Sequence, residues 1–182
     1  MLMLIRHPRP DAKAGGYAHR CYGALDIPVD EEDVQIAAER LALLLSAHSP
    51  ALLMTSPMQR CRDLANALAR TLHWPPPSAD DRLREINFGD WEGMAWADIP
   101  RNDLDAWAAD VLGYTPPNGE SVEELQRRVL SWYAEFRDAP MPVIAITHAG
   151  VIRVIRGAQE KLPLAEWTAL PIPYASLTIL AD

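Results

Sequence analysis

Met1-Leu2-Met3-Leu4-Ile5-Arg6-His7 and Val143-Ile144-Ala145-Ile146-Thr147-His148-Ala149-Gly150 share one pattern, a short apolar run that stops at a histidine. A third run, Ala51-Leu52-Leu53-Met54, stops at Thr55-Ser56-Pro57-Met58-Gln59-Arg60. Apolar runs of this length without polar alternation read as strands buried on both faces, the habit of a parallel sheet. Open parallel sheets bind ligands beyond the carboxyl ends of their strands. Each run therefore delivers a basic or nucleophilic side chain to that edge. His7, His148, Arg6 and Arg60 converging there would make a pocket for phosphate.

The intervening sequence supplies the crossovers. Residues 8 to 30 form a long connection rich in Pro, Gly, Tyr and Asp, and connections of this length in compact domains are usually functional or disordered. It starts at the pocket, which favours function. Val34, Ala37, Ala38, Leu41, Leu44 and Leu45 recur at helical spacing, so residues 33 to 47 read as an amphipathic helix completing a βαβ unit with the strand at 51 to 54. Ser56 reads as an N-cap, Pro57 as the first helical residue and Gln59 as the partner in a capping box, followed by Leu64, Leu68 and Leu72 on one face. Arg60 then lies in a first helical turn, beside unpaired backbone donors and the positive end of the macrodipole. Residues 79 to 119 read as two short helices over the sheet. Ser121 and Glu124 form a second capping box before a helix marked by Val122, Leu125, Val129, Trp132, Tyr133 and Phe136. A strand at 143 to 147, a helix at 149 to 160 and a closing edge strand at 176 to 180 complete the chain.

Composition narrows the function. The 182 residues suit one domain, 1–182, and 17 Lys and Arg against 25 Asp and Glu leave a net charge of −8. That balance argues against nucleic acid or an anionic membrane as partner, so any anion site must be local. The apolar start, Met1 to Ile5, is too short for a signal-peptide core, and no stretch approaches the roughly 20 apolar residues of a membrane span. A cytoplasmic protein is expected. Cys21 and Cys61 show no metal spacing and no disulfide framework, and read as structural thiols.

Phosphoryl transfer requires an in-line nucleophile, cations on the equatorial oxygens and a proton donor for the leaving group. His7 is the candidate nucleophile, because a neutral imidazole can form a covalent phosphoenzyme. Arg6, Arg60 and a protonated His148 would hold the phosphoryl oxygens. Glu85 is a candidate general acid, and a surface ion pair with neighbouring Arg82 or Arg84 is the plainer alternative. His19, His48 and His73 lie in loops or near helix ends, and no histidine pair has the spacing of a helical zinc site. Asp90, Glu92 and Asp98 read as a solvated acidic face. No metal and no cofactor are expected.

Leu4-Ile5-Arg6-His7, Ser56-Pro57-Met58-Gln59-Arg60, Leu83-Arg84-Glu85 with Phe88-Gly89-Asp90-Trp91-Glu92-Gly93, Asn118-Gly119-Glu120-Ser121, and Thr147-His148-Ala149-Gly150-Val151-Ile152-Arg153 together resemble, in order and spacing, the successive signatures of the histidine phosphatase superfamily, also called phosphoglycerate mutase-like. The resemblance spans nearly the whole chain. It implies an α/β three-layer sandwich with a mostly parallel central sheet, helices on both faces and an antiparallel edge strand. It also implies a phosphohistidine on His7, a phosphate pocket of Arg6, Arg60 and His148, and Glu85 as proton donor, without metal. Compact length, Cys21-Tyr22-Gly23-Ala24-Leu25-Asp26 and the run from His148 to Arg153 are similar to the α-ribazole phosphatase branch.

The expected function is thus a metal-independent phosphomonoesterase for a small soluble phosphate ester. Phosphoglycerate mutase-type transfer and a non-catalytic phosphate-dependent binding protein are the alternatives. Two departures stand out. Pro8 replaces the family's usual glycine after the nucleophile, removing an N–H and restricting His7. Pro10-Asp11 and Lys13-Ala14 replace its usual Thr and Asn, leaving Arg9 or Tyr22 as stand-in substrate contacts.

Overall fold

The three apolar runs meet in one sheet in the computed structural model, which describes residues 1–10, 17–47 and 52–180. Among the described residues the sheet has five strands: β1 (Leu2–Arg6), β2 (Leu52–Thr55), β3 (Ser78–Ala79), β4 (Val143–Thr147) and β5 (Leu177–Leu180), in spatial order β3-β2-β4-β1-β5. Pairings are parallel except that of β5, which runs antiparallel on β1 at the edge. Arg6 stands opposite Thr147, so His7 and His148 leave neighbouring strands side by side. β4 lies between β1 and β2, and the crevice where strand order switches is where such sheets bind ligands.

Helices cover both faces. Met3, Ile5, Leu53, Ile144 and Ile146 pack against α1 (Glu31–Leu45) and α2 (Gln59–Leu72). Leu2, Leu4, Met54, Val143 and Ala145 point the other way, with α4 (Val122–Phe136), α5 (Ala149–Glu160) and α6 (Leu164–Trp167) packed on them. A one-residue slip would exchange the two faces, and each side chain of this size that is fully buried contributes about 1.5–3 kcal/mol. The register that pairs the two histidines is therefore held by both cores. α3 (Arg101–Ala109) lies outside these layers.

Some local expectations are corrected. α1 spans Glu31–Leu45, two residues earlier than read, and Leu44 is 57% exposed because it falls at the rim of the stripe centred on Val34, Ala38, Leu41 and Leu45. Ser56 does not cap α2: the Ser56 N–H donates to the Ile146 carbonyl at 2.9 Å, which continues the strand ladder, and the helix starts at Gln59. Arg60 nevertheless stays in the first turn. Residues 79–119 form three 3-10 turns at Asp81–Leu83, Gly89–Trp91 and Trp96–Asp98 and the single helix α3, in place of two helices. Cys21, Trp91 and Ile99 seed a small core under them, joined by Phe88, Trp107 and Tyr114. The capping box of Ser121 and Glu124 forms as read. The expected start of the second strand at Ala51, and His48, lie outside the described residues. No helix among the described residues is long and apolar enough to cross a membrane.

Candidate active site

His7 follows β1 directly, is 2% exposed, and its Nδ1 lies 2.6 Å from the Pro8 carbonyl. A carbonyl only accepts, so Nδ1 carries the proton and Nε2 keeps the lone pair. Proline lacks an N–H but retains its carbonyl, and Pro8 supplies the acceptor that fixes the tautomer. Burial holds the His7 pKa well below its ordinary 6.5; Arg60 lowers it further, the Pro8 bond opposes, and Arg6 lowers it again. The imidazole is uncharged at neutral pH.

His148 caps the start of α5, fully buried, its ring edge-on to His7 with centroids 5.1 Å apart. Its Nε2 lies 2.8 Å from Ser56 Oγ and 3.5 Å from Cys61 Sγ. Burial, then Arg60 and His7, push its pKa well below 6.5, so without a bound anion the ring is uncharged at neutral pH. Burial also raises the Cys61 thiol, so it meets the ring as a neutral group.

The two arginines converge on the same place from different elements. Arg60 is fully buried and donates through Nη1 to the Leu25 carbonyl at 2.8 Å and through Nη2 to the Gly23 carbonyl at 2.6 Å. Arg6 donates to the Ile172 carbonyl and sits over the Tyr174 ring, its Cζ 3.6 Å from the ring centroid. In both guanidiniums Nε is buried and has no hydrogen-bond partner among the described residues. Unpaired buried donors of this kind are costly unless a ligand meets them.

Glu85 reaches the pocket from the other side. Its Oε2 accepts from the Gly150 N–H at 3.1 Å and its Oε1 from the Ile86 N–H at 3.0 Å. It forms no ion pair with the neighbouring arginines: Arg82 pairs with Asp80 and Glu135, and Arg84 with Asp81. Arg128 of α4 holds this segment by donating to the carbonyls of Arg82, Arg84 and Glu85. A Cβ on Gly150 would come within 2.2 Å of Glu85 Oε1, so glycine is what lets the carboxylate sit at the start of α5.

Tyr22 is half-buried, its hydroxyl 2.9 Å from that of Tyr174 and its ring centroid 6.0 Å from Arg60 Cζ. Arg9 is exposed and lines a hollow with Pro8, Asp33, Arg40 and Tyr174. Two of these also meet His7: the Pro8 carbonyl accepts from its Nδ1, and the Tyr174 ring lies 5.7 Å from its own. Asp11, Lys13 and Ala14 lie outside the described residues. Tyr174 carries no signal when the sequence is read alone, although the chain leading into an antiparallel edge strand on β1 must pass the His7 end of the sheet, and Tyr174 lies three residues ahead of β5. The solvated face read at Asp90, Glu92 and Asp98 is wrong for Glu92. Its carboxylate accepts from the N–H groups of Gly23, Ala24, Leu25 and Phe88 at 2.9 to 3.2 Å. Glu92 thereby fixes the turn whose carbonyls receive Arg60. Among the described residues, no group of three or more His, Cys, Asp or Glu could hold a metal ion.

The chain matches the family model of the histidine phosphatase superfamily, branch 1, over residues 2–181. It is 32% identical over 187 residues to the glucosyl-3-phosphoglycerate phosphatase of Mycolicibacterium vanbaalenii, covering 93% of this chain and 78% of that protein. Its fold is similar to that of a mycobacterial glucosyl-3-phosphoglycerate phosphatase complexed with VO3, with a TM-score of 0.76 and 31% identity over 97% of this chain and 90% of that one. The α-ribazole phosphatase of Shigella flexneri shares the fold with a TM-score of 0.82 at 23% identity, over 97% of this chain and 87% of that one. With the family's signatures gathered at one edge of the sheet and the family model matched along nearly all its length, this chain belongs to the histidine phosphatase superfamily and is a phosphatase.

Proposed function

We propose that the chain is a single-domain, metal-independent phosphomonoesterase that hydrolyses a small soluble phosphate ester through a phosphohistidine on His7. The observation that carries this reading is an uncharged His7, fixed with its lone pair on Nε2, beside two buried guanidinium Nε–H groups that have no partner among the described residues. His7 Nε2 attacks phosphorus as the bond to the alcohol oxygen breaks, and Glu85 delivers a proton to that oxygen. Arg6 and Arg60 hold the equatorial oxygens, and the bound dianion gives His148 the counter-charge it needs to take up a proton and join them. Water then attacks the phosphohistidine, Glu85 takes the water proton, and phosphate leaves with His7 restored. These cationic groups supply the charge neutralisation that a metal provides in other phosphatases.

The net charge of −8 and the absence of a basic surface run favour a small-molecule substrate over nucleic acid, and the composition favours the cytoplasm. The test is acid quench during turnover of a labelled ester. Label on His7 that is acid-labile and base-stable is expected, with turnover abolished in His7→Ala and unchanged by a chelator. Label on His148, or activity restored by a divalent ion after chelation, would overturn the assignment. A substrate panel including glucosyl-3-phosphoglycerate and α-ribazole phosphate would then identify the ester.

A further inference from the structure

A cavity of about 330 Å³ opens beside Glu85. Ile86, the next residue in the chain, and Gly150, whose N–H holds the Glu85 carboxylate, form its near wall. Phe88, Trp96, Trp107 and Trp167 give it aromatic surface, and aliphatic side chains of α4 complete it. Trp96 and Trp107 stack on each other with 16° between their planes, and the edge of Phe88 meets both. Of the side chains lining the cavity, only Arg153 is charged and only Thr168 carries a hydroxyl. The Arg153 Nε donates to the Leu170 carbonyl at 2.9 Å, and no ion pair holds its guanidinium among the described residues.

We infer that this cavity receives the alcohol half of the substrate, and that this half carries a flat, apolar ring system. The inference rests on the phosphatase reading above. Three observations select the class. The cavity adjoins the carboxylate that serves the leaving oxygen, so whatever fills it is joined to that oxygen. Its volume lies at the low end for small-molecule sites, about 300–1,000 Å³, and suits one or two rings. Its walls are mostly apolar, and their polar side-chain atoms are donors on the three indoles and Arg153, with the Thr168 hydroxyl as the one acceptor. A polyol would therefore bury hydroxyl hydrogens without partners, whereas a ring gains from apolar burial and edge or face contacts with the indoles. Aromatic walls also attract quaternary ammonium groups. Here the Arg153 guanidinium opposes a cation, and the stacked pair of indoles has one face of each ring already covered.

The test compares 2-(2-naphthyl)ethyl phosphate, glycerol phosphate and choline phosphate, all esters of alcohols that need protonation to leave. The naphthyl ester should show kcat/KM at least tenfold above the other two. Val111→Trp, which fills the cavity, and Trp96→Ala, which removes an exposed wall, should both bring that ratio toward one. Binding of 2-(2-naphthyl)ethylphosphonate and ethylphosphonate to the wild-type protein, read by tryptophan fluorescence, gives an answer that needs neither turnover nor a folded variant. Equal affinities, or a preference for choline phosphate, would overturn the inference. Failure to turn over any ester, 4-nitrophenyl phosphate included, would overturn the phosphatase reading, while the phosphonate comparison would still decide the cavity.

Discussion

The strand-end pocket and the segment from Ile86 to Gly119 lie on either side of Glu85 and are built in opposite ways. His7, Arg60 and His148 are almost wholly buried, and each belongs to or directly follows an element locked by a large core. The Ile86–Gly119 segment consists of short turns and one nine-residue helix over a small core of its own, with Trp96 at the surface. One region fixes the reacting groups through the register of a parallel sheet. The other is tied by turn hydrogen bonds to Arg20, Cys21 and the start of α4, with Glu92 bridging it to the 23–25 turn, and on the proposed reading it surrounds the leaving group. The difference teaches that chemistry and selectivity meet here at two residues, Glu85 and Glu92, since a change elsewhere in the turns leaves the two cores that position His7 and His148 intact.

The largest effect that tests this separation is expected at Glu85, where the two regions meet. Glu85→Gln should slow turnover of an alkyl phosphate by about 10² to 10⁴, the usual contribution of a positioned general acid. A nitrophenyl ester, whose leaving group departs without a proton, should lose much less. Equal losses on the two esters would remove Glu85 from the chemistry and dissolve the boundary between the regions.

Glu92→Gln should act through the phosphate side instead. An amide nitrogen facing backbone N–H groups sets donor against donor, which loosens the turn whose carbonyls hold Arg60. Leaving backbone donors unpaired in this half-buried turn costs about 1 kcal/mol or more. KM and the inhibition constant of inorganic phosphate should therefore rise about tenfold, and the ratio of alkyl to nitrophenyl activity should stay as in the wild type. A changed ratio with unchanged phosphate affinity would assign Glu92 to the leaving-group side.

The smallest effect concerns stability and belongs to the pocket alone. The pKa values of His7 and His148 are both depressed in the folded state by burial, so as pH falls below 6.5 the unfolded chain gains protons that the folded chain refuses. Stability should fall by up to about 1.4 kcal/mol per pH unit for each histidine until the folded pKa values are reached. Chemical denaturation between pH 7.5 and 5.5 measures it, and a His7→Gln, His148→Gln double variant should show a flatter dependence. The same slope in both proteins would mean that the buried pair is protonated after all.

Glu85, the two histidines and the two arginines were legible in the sequence as a candidate site, and the sheet that collects them was legible for the same reason. A strand buried on both faces must be continuously apolar, so the first polar residue after it marks the ligand edge without any knowledge of neighbours. Ser121 with Glu124 was legible too, because a capping box is closed within four residues. Ser56, Glu92, Gly150 and Tyr174 were not. Ser56 has the local signature of a cap, yet pairing with Ile146 keeps it in the strand ladder and leaves its hydroxyl to His148. Glu92 resembles a surface acid until the 23–25 turn folds onto it, and Gly150 resembles an ordinary helix start until Glu85 arrives beside it. Tyr174 meets Arg6 only because β5 runs antiparallel on β1. The sequence alone determined the apolar periodicity, the strand ends and the residue types that can carry phosphoryl transfer, all of them local properties of the chain. Tertiary structure alone decided the proton on His7 Nδ1, the uncharged state of His148, the unpartnered guanidinium nitrogens and the tryptophan-lined cavity, because each depends on burial and on contacts between residues far apart in sequence.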